Sequence, residues 1–205
     1  MNSQIIIGFV TEGTSDTRFL GSIIQRSFEN KAFECKSQIE ILPIQHIEKQ
    51  TGLEFIDAIR AAAQKAWERG VMILCVHTDA DGKDDSTVFE HKFNPLFEQI
   101  KTWSHEKHCQ NLVAVVPVQM TEAWMLADPQ LLKEELGTEK SDVELGIDKK
   151  PEEYGDPKEA IKNAIRISRQ KETKRRRRNL KIDELYSSIG QKLDLTTLKI
   201  GRAHV

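Results

Sequence analysis

Four short apolar runs, each followed by a stretch with helical spacing, constrain the fold of this chain more than any other feature. They read QIIIGFV, QIEILPI, VMILCVH and NLVAVVPV, at residues 4–10, 38–44, 71–77 and 111–118. Apolar residues follow one another in these runs, which is typical of parallel strands that helices cover on both faces. The pattern predicts an α/β, Rossmann-like fold with a mostly parallel four-stranded sheet flanked by helices.

The helices around these strands carry recognisable start signals. Thr14 or Ser15 is the predicted cap of the first helix. Thr51 and Glu54 have the spacing of a capping box ahead of the second helix. Asp156, followed directly by a proline, predicts the start of a later helix.

The charge along the chain is uneven. Residues 158–181 contain eleven basic and two acidic side chains, a local charge of +9, whereas the whole chain carries −2, so the remainder carries −11. A basic segment on an acidic body favours a polyanionic partner, and we expect nucleic acid. A solvated charge run, or a surface for an acidic partner protein, are the alternatives. The expected nucleic-acid-binding residues are Lys174, Arg175, Arg176, Arg177 and Arg178.

The C-terminal third is expected to be a helical basic extension of the main domain. Residues 137–155 are polar and contain Gly, Asp and Pro, which is typical of a loop or linker. We therefore divide the chain into an α/β domain at 1–136 and a linker with a helical extension at 137–199. Residues 200–205 match the translation of a common sequencing adapter, and we expect them to be a non-native tail.

Several other classes of protein are disfavoured. The apolar runs are far shorter than the ~20 residues of a membrane-spanning helix, and the N-terminal segment lacks the features of a signal peptide. The three cysteines show no CxxC spacing, which argues against a zinc site and favours a reducing, cytoplasmic location. The sequence contains neither GxxxxGK[ST] nor GxGxxG, so nucleotide binding by those loops lacks support.

Acidic residues follow three of the four predicted strands. They are Glu12 after the first strand, Asp79 and Asp81 after the third, and Glu122 and Asp128 after the fourth. Because ligand sites of open parallel sheets form at the carboxyl ends of the strands, we expect these acids to converge. Clustered carboxylates repel each other until a cation neutralises them, and Mg²⁺ or Mn²⁺ is the expected occupant.

The acids after the third strand have more than one interpretation. Asp79 and Asp81 stand two residues apart, so in an extended segment both project to the same side. Each acid alone has a structural alternative, because such residues commonly form turns and caps. Asp84 and Asp85 fit that alternative best, ahead of the next helix. His77 is either a site residue or a hydrogen-bonding group at the strand end.

Two of these motifs resemble the Toprim domain, the metal-binding α/β unit of topoisomerases, bacterial primases and related nucleases. EGTSD follows the first predicted strand and DAD follows the third. The resemblance covers about residues 4–128 and implies a Toprim-like fold. It implies that Glu12 is the family glutamate and that Asp79 and Asp81 are the metal-binding pair. Asp16 then matches the less constant acid of the first motif.

A narrower resemblance spans nearly the whole chain. VTEGTSDTRFL, HTDADG, VVPVQMTEAWMLAD and KRRRRNLKIDELY are similar to motifs of a bacterial family known as domain of unknown function 4276. Its members look Toprim-like and often lie beside ATPase genes in defence-type operons. The resemblance therefore implies a partner ATPase and a role in anti-phage defence. The QMTEAWMLAD block lies outside the general Toprim signature, so Glu122 and Asp128 are supporting candidates.

The acids and the resemblance together imply Mg²⁺-dependent hydrolysis of a phosphodiester bond in nucleic acid. Asp79 and Asp81 are expected to hold the metal, and Glu12 to complete its shell or act as general base. Arg18 or Lys83 is expected to neutralise charge on the phosphate. The two tyrosines stand far from these motifs in the sequence, which argues against a covalent tyrosine intermediate. The alternative is a non-catalytic Toprim-like module that binds a partner ATPase or nucleic acid.

Overall fold

The computed structural model describes residues 3–170 and 180–198 of the 205-residue chain. The basic run from Lys174 to Arg178 and the tail at 200–205 lie outside the described residues, so the expectations for them stay predictions. Within the described part, no helix is long and apolar enough to cross a lipid bilayer.

A parallel four-stranded sheet lies at the centre of the fold. The strands are β1 (Ser3–Ile5), β2 (Ile7–Val10), β3 (Ile39–Ile41), β4 (Gln45–His46), β5 (Ile73–His77) and β6 (Leu112–Val115). The main sheet has the order β4, β2, β5, β6 with parallel neighbours, and β1 pairs in parallel with β3. The predicted α/β fold is confirmed. The first two predicted strands are each divided in two, because the chain changes pairing partner along its length.

Helices cover both faces of this sheet. They are α1 (Thr14–Glu34), α2 (Phe55–Glu68), α3 (Ser86–Val88), α4 (Asn94–Ile100), α5 (Thr121–Met125), α6 (Pro129–Leu136), α7 (Asp142–Leu145), α8 (Pro157–Ser168) and α9 (Ile182–Lys192), with a π-helical segment at Phe89–Phe93. Core side chains of α1, α5, α6, α8 and α9 form one hydrophobic cluster, and those of α2 and α4 form another. Adjacent strand residues such as Cys75 and Val76 divide between the clusters, which therefore lie on opposite faces.

The helix starts differ in part from the predicted ones. The cap of α8 is confirmed, since the side chain of Asp156 accepts a hydrogen bond from a backbone N–H of the first turn. The predicted caps of α1 and α2 are wrong. Gly13 is the N-cap of α1 and Glu54 the N-cap of α2, and neither helix has a side-chain cap bond. Thr14 is already inside its helix, and Thr51 lies in a turn that precedes Glu54.

The segment after residue 136 contributes to the main core. Residues 137–155, expected to be a loop or linker, contain α7 with a capping box at Ser141 and a 3-10 turn at Pro151–Glu153. Leu145 and Tyr154 from this segment belong to the same hydrophobic cluster as α1. Helix α9 packs along α1 and is close enough that Gly190 approaches the backbone of α1.

Candidate metal centre

The candidate site lies at the carboxyl ends of the two central strands, β2 and β5. The chain leaves β2 into α1 on one face of the sheet, whereas α2, which precedes β5, covers the other face. The direction in which strands are added therefore reverses between β2 and β5, and parallel sheets place ligands in the crevice at such a switch point. Glu12 and Asp79 each follow one of these strands by two residues, so both reach the crevice.

The loop after β5 runs alongside the loop after β6. Thr78 donates a backbone hydrogen bond to Val115 and Asp81 donates one to Gln119, over N···O distances of 3.3 and 2.8 Å. Asp81 and Gln119 have left-handed backbone, with φ of 50° and 64°, and no other non-glycine residue of the described ranges has positive φ. The extended path assumed for Asp79 and Asp81 therefore ends at Asp81. Strained backbone of this kind concentrates at functional sites.

Asp16, His77 and Asp79 converge at the crevice. Their potential ligand atoms lie within 4.8 Å of one another, and no other such group occurs in the described part of the chain. Thr121 fixes Asp79, because its N–H and hydroxyl donate to Oδ1 of Asp79 over 2.9 and 3.2 Å. His77 Nε2 lies 3.2 Å from that same oxygen and 3.2 Å from the Thr121 hydroxyl. The fold thus brings two carboxylates and an imidazole together from α1 and β5.

Gly13 makes room for the carboxylate of Asp16, which lies in the first turn of α1. A Cβ at position 13 would stand 3.0 Å from Asp16 Oδ2, closer than side chains normally approach. Thr11 and Thr17 hold the turn, because their hydroxyls lie 2.8 Å apart and 3.0 and 3.1 Å from the Gly13 carbonyl oxygen. The glycine of EGTSD therefore lets the aspartate of the same motif fold back beside the strand end.

The surroundings of this cluster disfavour negative charge. Burial raises the pKa of Asp16, and the carboxylates of Asp79 and Glu122 raise it further, whereas His77 and Thr121 lower it. Nδ1 of His77 is buried and has no hydrogen-bond partner among the described residues. Crowded carboxylates and an orphaned imidazole nitrogen are both satisfied by a divalent cation. The donor set therefore fits a metal ion.

Glu12 and Asp81 border the cluster. Glu12 Oε1 accepts a 2.6 Å hydrogen bond from the Thr78 hydroxyl and lies 3.7 Å from Lys92 Nζ. Lys92 also donates to the Thr78 hydroxyl, over 2.7 Å. Burial raises the pKa of Asp81, Asp79 and Glu12 raise it further, and Lys92 lowers it. The acids predicted as the metal site thus share one crevice with the closest cluster, which contains only Asp79 of that prediction.

Glu122 stands behind Asp16 in a buried network. It accepts a hydrogen bond from the hydroxyl of Tyr186, and Lys158 Nζ lies 3.4 Å from the same carboxylate oxygen. Burial raises the pKa of Tyr186, and Glu122 and Asp16 raise it further, so the hydroxyl remains a donor. The expectation that both tyrosines lie away from the site is wrong for Tyr186. Its side chain is fully buried, so it supports a carboxylate and is not an exposed nucleophile.

The other predicted residues lie around the crevice or in local structure. Arg18 and Lys83 are exposed. Asp128 caps α6, because its side chain accepts a backbone hydrogen bond in the first turn. Asp84 accepts the backbone N–H two residues ahead, over 2.9 Å, which confirms the turn interpretation for this residue. Asp85 occupies the N-cap position of α3 without a side-chain cap bond.

Sequence analysis missed Lys92 and Tyr186 and left His77 open. His77 did carry a signal, since the period of two that aligned Asp79 with Asp81 also aligns His77 with Asp79. Lys92 lies in the π-helical segment, whose register α-helical spacing does not give. Tyr186 lies 64 residues from its partner Glu122, so no local pattern joins them.

A comparison with protein families agrees with the motifs. The model of a family described as domain of unknown function (DUF4276) matches residues 11–199, a range that includes every site residue from Glu12 to Tyr186. No significant match was found among curated proteins or among solved structures. The chain belongs to the DUF4276 family.

Proposed function

We propose that the chain is a divalent-metal-dependent phosphodiesterase that cleaves nucleic acid. The observation that carries the proposal is the convergence of Asp16, His77 and Asp79 within 4.8 Å at the switch point of a parallel sheet. The resemblance of EGTSD and DAD to Toprim motifs supports it, since in that domain these positions carry the metal-binding acids.

Asp16, His77 and Asp79 are the proposed ligands, and Glu12 and Asp81 are the carboxylates that complete the site. A mixed imidazole and carboxylate set suits Mn²⁺ better than Mg²⁺, which prefers oxygen ligands. When bound, the cation would polarise the phosphate and lower the pKa of a coordinated water. Tyr186 and Glu122 are positioning residues, because they act on the site through Asp16.

Lys92 is the proposed phosphate contact. Its Nζ donates to Thr78 and lies 3.7 Å from Glu12, so its ammonium group stands at the mouth of the crevice. A fixed positive charge at this place stabilises the negative charge that develops on the phosphoryl oxygens. Arg18 and Lys83 are exposed on the same loops and are candidates for phosphates further along the strand.

The basic segment at Lys174–Arg178 is the proposed electrostatic anchor for the substrate. In the sequence it joins α8 to α9, and both helices reach the site, since Lys158 and Tyr186 contact Glu122. Such a segment offsets the repulsion between a polyanion and the acidic remainder of the chain. A partner ATPase and a role in anti-phage defence are proposed from the motif resemblance alone.

The test combines metal binding and cleavage in the same variants. Asp16→Asn and Asp79→Asn remove a ligand charge with little change of shape, and Asp84→Asn is the matched control because that acid supports a turn of the same loop. Mn²⁺ at 100 times its Kd should stabilise the wild type and the control by ~2.7 kcal/mol, roughly 5–11 °C in Tm. Both should also cleave DNA or RNA, and the two ligand variants should lose both properties.

Two results would contradict the proposal. Cleavage that continues unchanged in Asp16→Asn and Asp79→Asn would show that these side chains do not support the reaction. Binding of the metal without cleavage of single-stranded DNA, duplex DNA or RNA would favour the non-catalytic module instead.

A further inference from the structure

A polar groove opens beside Glu12 and runs towards the edge strand β4. Its volume is about 580 Å³, within the ~300–1,000 Å³ that is typical of ligand sites. One wall is the turn from β2 into α1, at residues 11–14 and 17, and the other is the loop from β4 to α2, at residues 48–53. The groove therefore begins at the candidate metal centre and follows the carboxyl end of the sheet.

Two lysines share one aromatic ring beside this groove. Lys49 lines the groove, and its Nζ lies 5.6 Å from the centroid of the Phe55 ring. Lys92, which contacts Glu12, has its Nζ 5.6 Å from the same centroid. The ring of Phe55 is fixed by an edge contact with Phe93, at a centroid distance of 5.7 Å. The two ammonium groups are therefore near enough to contact phosphates of one strand that are one or two nucleotides apart.

The remaining lining suits a base and a sugar. The His46 side chain is exposed, with its ring centroid 5.2 Å from that of Phe9 and its Nε2 3.4 Å from the Thr17 hydroxyl. Leu53, in the opposite wall, is 41% exposed. An imidazole ring and an apolar side chain can stack on a base, and the threonine hydroxyls of the lining can bond to a sugar or a base edge.

We propose that this groove binds unpaired nucleotides of a single strand, next to the bond that is cleaved. The inference rests on the proposed function, because it places the strand beside the metal centre. A recess with stacking and hydrogen-bonding groups suits unpaired bases, since bases in a duplex are stacked and present only their groove edges. Lys49 and Lys92 hold the phosphates, and His46 holds a base.

The test measures binding of labelled oligonucleotides to the full chain in EDTA, by fluorescence anisotropy. The absence of metal makes the result independent of cleavage. We expect a short single strand to bind more tightly than a duplex of the same sequence. Lys49→Gln should weaken single-strand binding about tenfold, and should reduce the slope of log affinity against log salt by ~0.7, the value for one phosphate contact.

The controls separate the groove from general electrostatics. Lys31→Gln removes the same charge from a side chain that is 75% exposed, near the far end of α1 and roughly 25 Å from its first turn. It should bind like the wild type. Leu53→Asp adds a carboxylate at an exposed groove position, so it should weaken binding without affecting the fold. Equal loss of affinity in Lys49→Gln and Lys31→Gln, or equal binding of duplex and single strand, would overturn the proposal.

This inference and the proposed function can fail separately. If the wild type never cleaves but Lys49 still governs single-strand binding, the groove stands and the phosphodiesterase does not. If the wild type cleaves and Lys49→Gln binds and cleaves equally well, the phosphodiesterase stands and the groove is refuted.

Discussion

Replacing Gly190 with alanine should destabilise the protein, whereas the same replacement at Gly21 should not. Gly190 lies in α9 where this helix crosses α1, and a Cβ at that position would stand 2.6 Å from the carbonyl oxygen of Phe19. Its other near contacts, at 3.3 Å, are also backbone atoms of Phe19, which cannot rotate away. An ordinary contact begins near 3.4 Å, so α9 must move by about 0.8 Å.

The expected loss can be estimated from opposing contributions. Overpacking of this kind costs ~1–3 kcal/mol, and a gap of this width forfeits a quarter to a half of each dispersion contact along α9. The higher helix propensity of alanine returns ~1 kcal/mol. Gly190→Ala should therefore lower the free energy of unfolding by about 2–3 kcal/mol. In Gly21→Ala the nearest contact is a side-chain carbon of Phe9 at 3.5 Å, so only the propensity gain of ~0.5–1 kcal/mol remains.

Urea unfolding followed by circular dichroism measures both variants against the wild type. The difference between them should be about 3 kcal/mol, which corresponds to roughly 6–12 °C in Tm for a chain of this size. The refuting result is a Gly190→Ala variant as stable as Gly21→Ala, because the close approach of α9 to α1 would then have no energetic weight.

Three further predictions concern single side chains. Burial raises the pKa of the Cys75 thiol to about 12 and also raises the pKa of Cys109, so iodoacetamide at pH 8 should label only the exposed Cys35 in the native protein and all three cysteines in urea, as counted by mass spectrometry. Asp128→Asn keeps the cap of α6 and should leave stability unchanged, whereas Asp128→Ala should cost ~1 kcal/mol in the same unfolding assay. Tyr186→Phe leaves the buried carboxylate without its hydroxyl donor and should cost ~1–3 kcal/mol, with a smaller Mn²⁺-induced rise in Tm, and an unchanged rise would show that this network does not position Asp16.

The sheet was predictable because its signal is local. The apolar runs that became β5 and β6 are continuous, and each ends in polar residues, so their place and type follow from the sequence alone. The same holds for the acids, since Glu12 and Asp79 follow central strands and the switch point had to bring them together. The start of α2 failed because Thr51 and Glu54 have capping-box spacing but the helix begins after Glu54.

The rest of the site depends on contacts that no local pattern records. Asp81 leaves the extended path through a left-handed backbone, which aspartate adopts only occasionally. Lys92 reaches Glu12 from a π-helical segment, where side chains do not follow the period of an α-helix. Tyr186 meets Glu122 only because α9 packs across α1, a tertiary choice that propensity and spacing do not determine.

The packing of α9 against α1 also sets an order of events during synthesis. About 150 residues separate the two helices, so at ~5–20 residues per second α9 leaves the ribosome roughly 7–30 s after α1. During this interval the apolar face of α1, with Phe19 and Ile23, lacks the helix that later covers it, and Glu122 lacks its hydroxyl donor. A nascent chain therefore carries an unfinished site and an uncovered helix face through most of its translation, and interrupted synthesis leaves both incomplete.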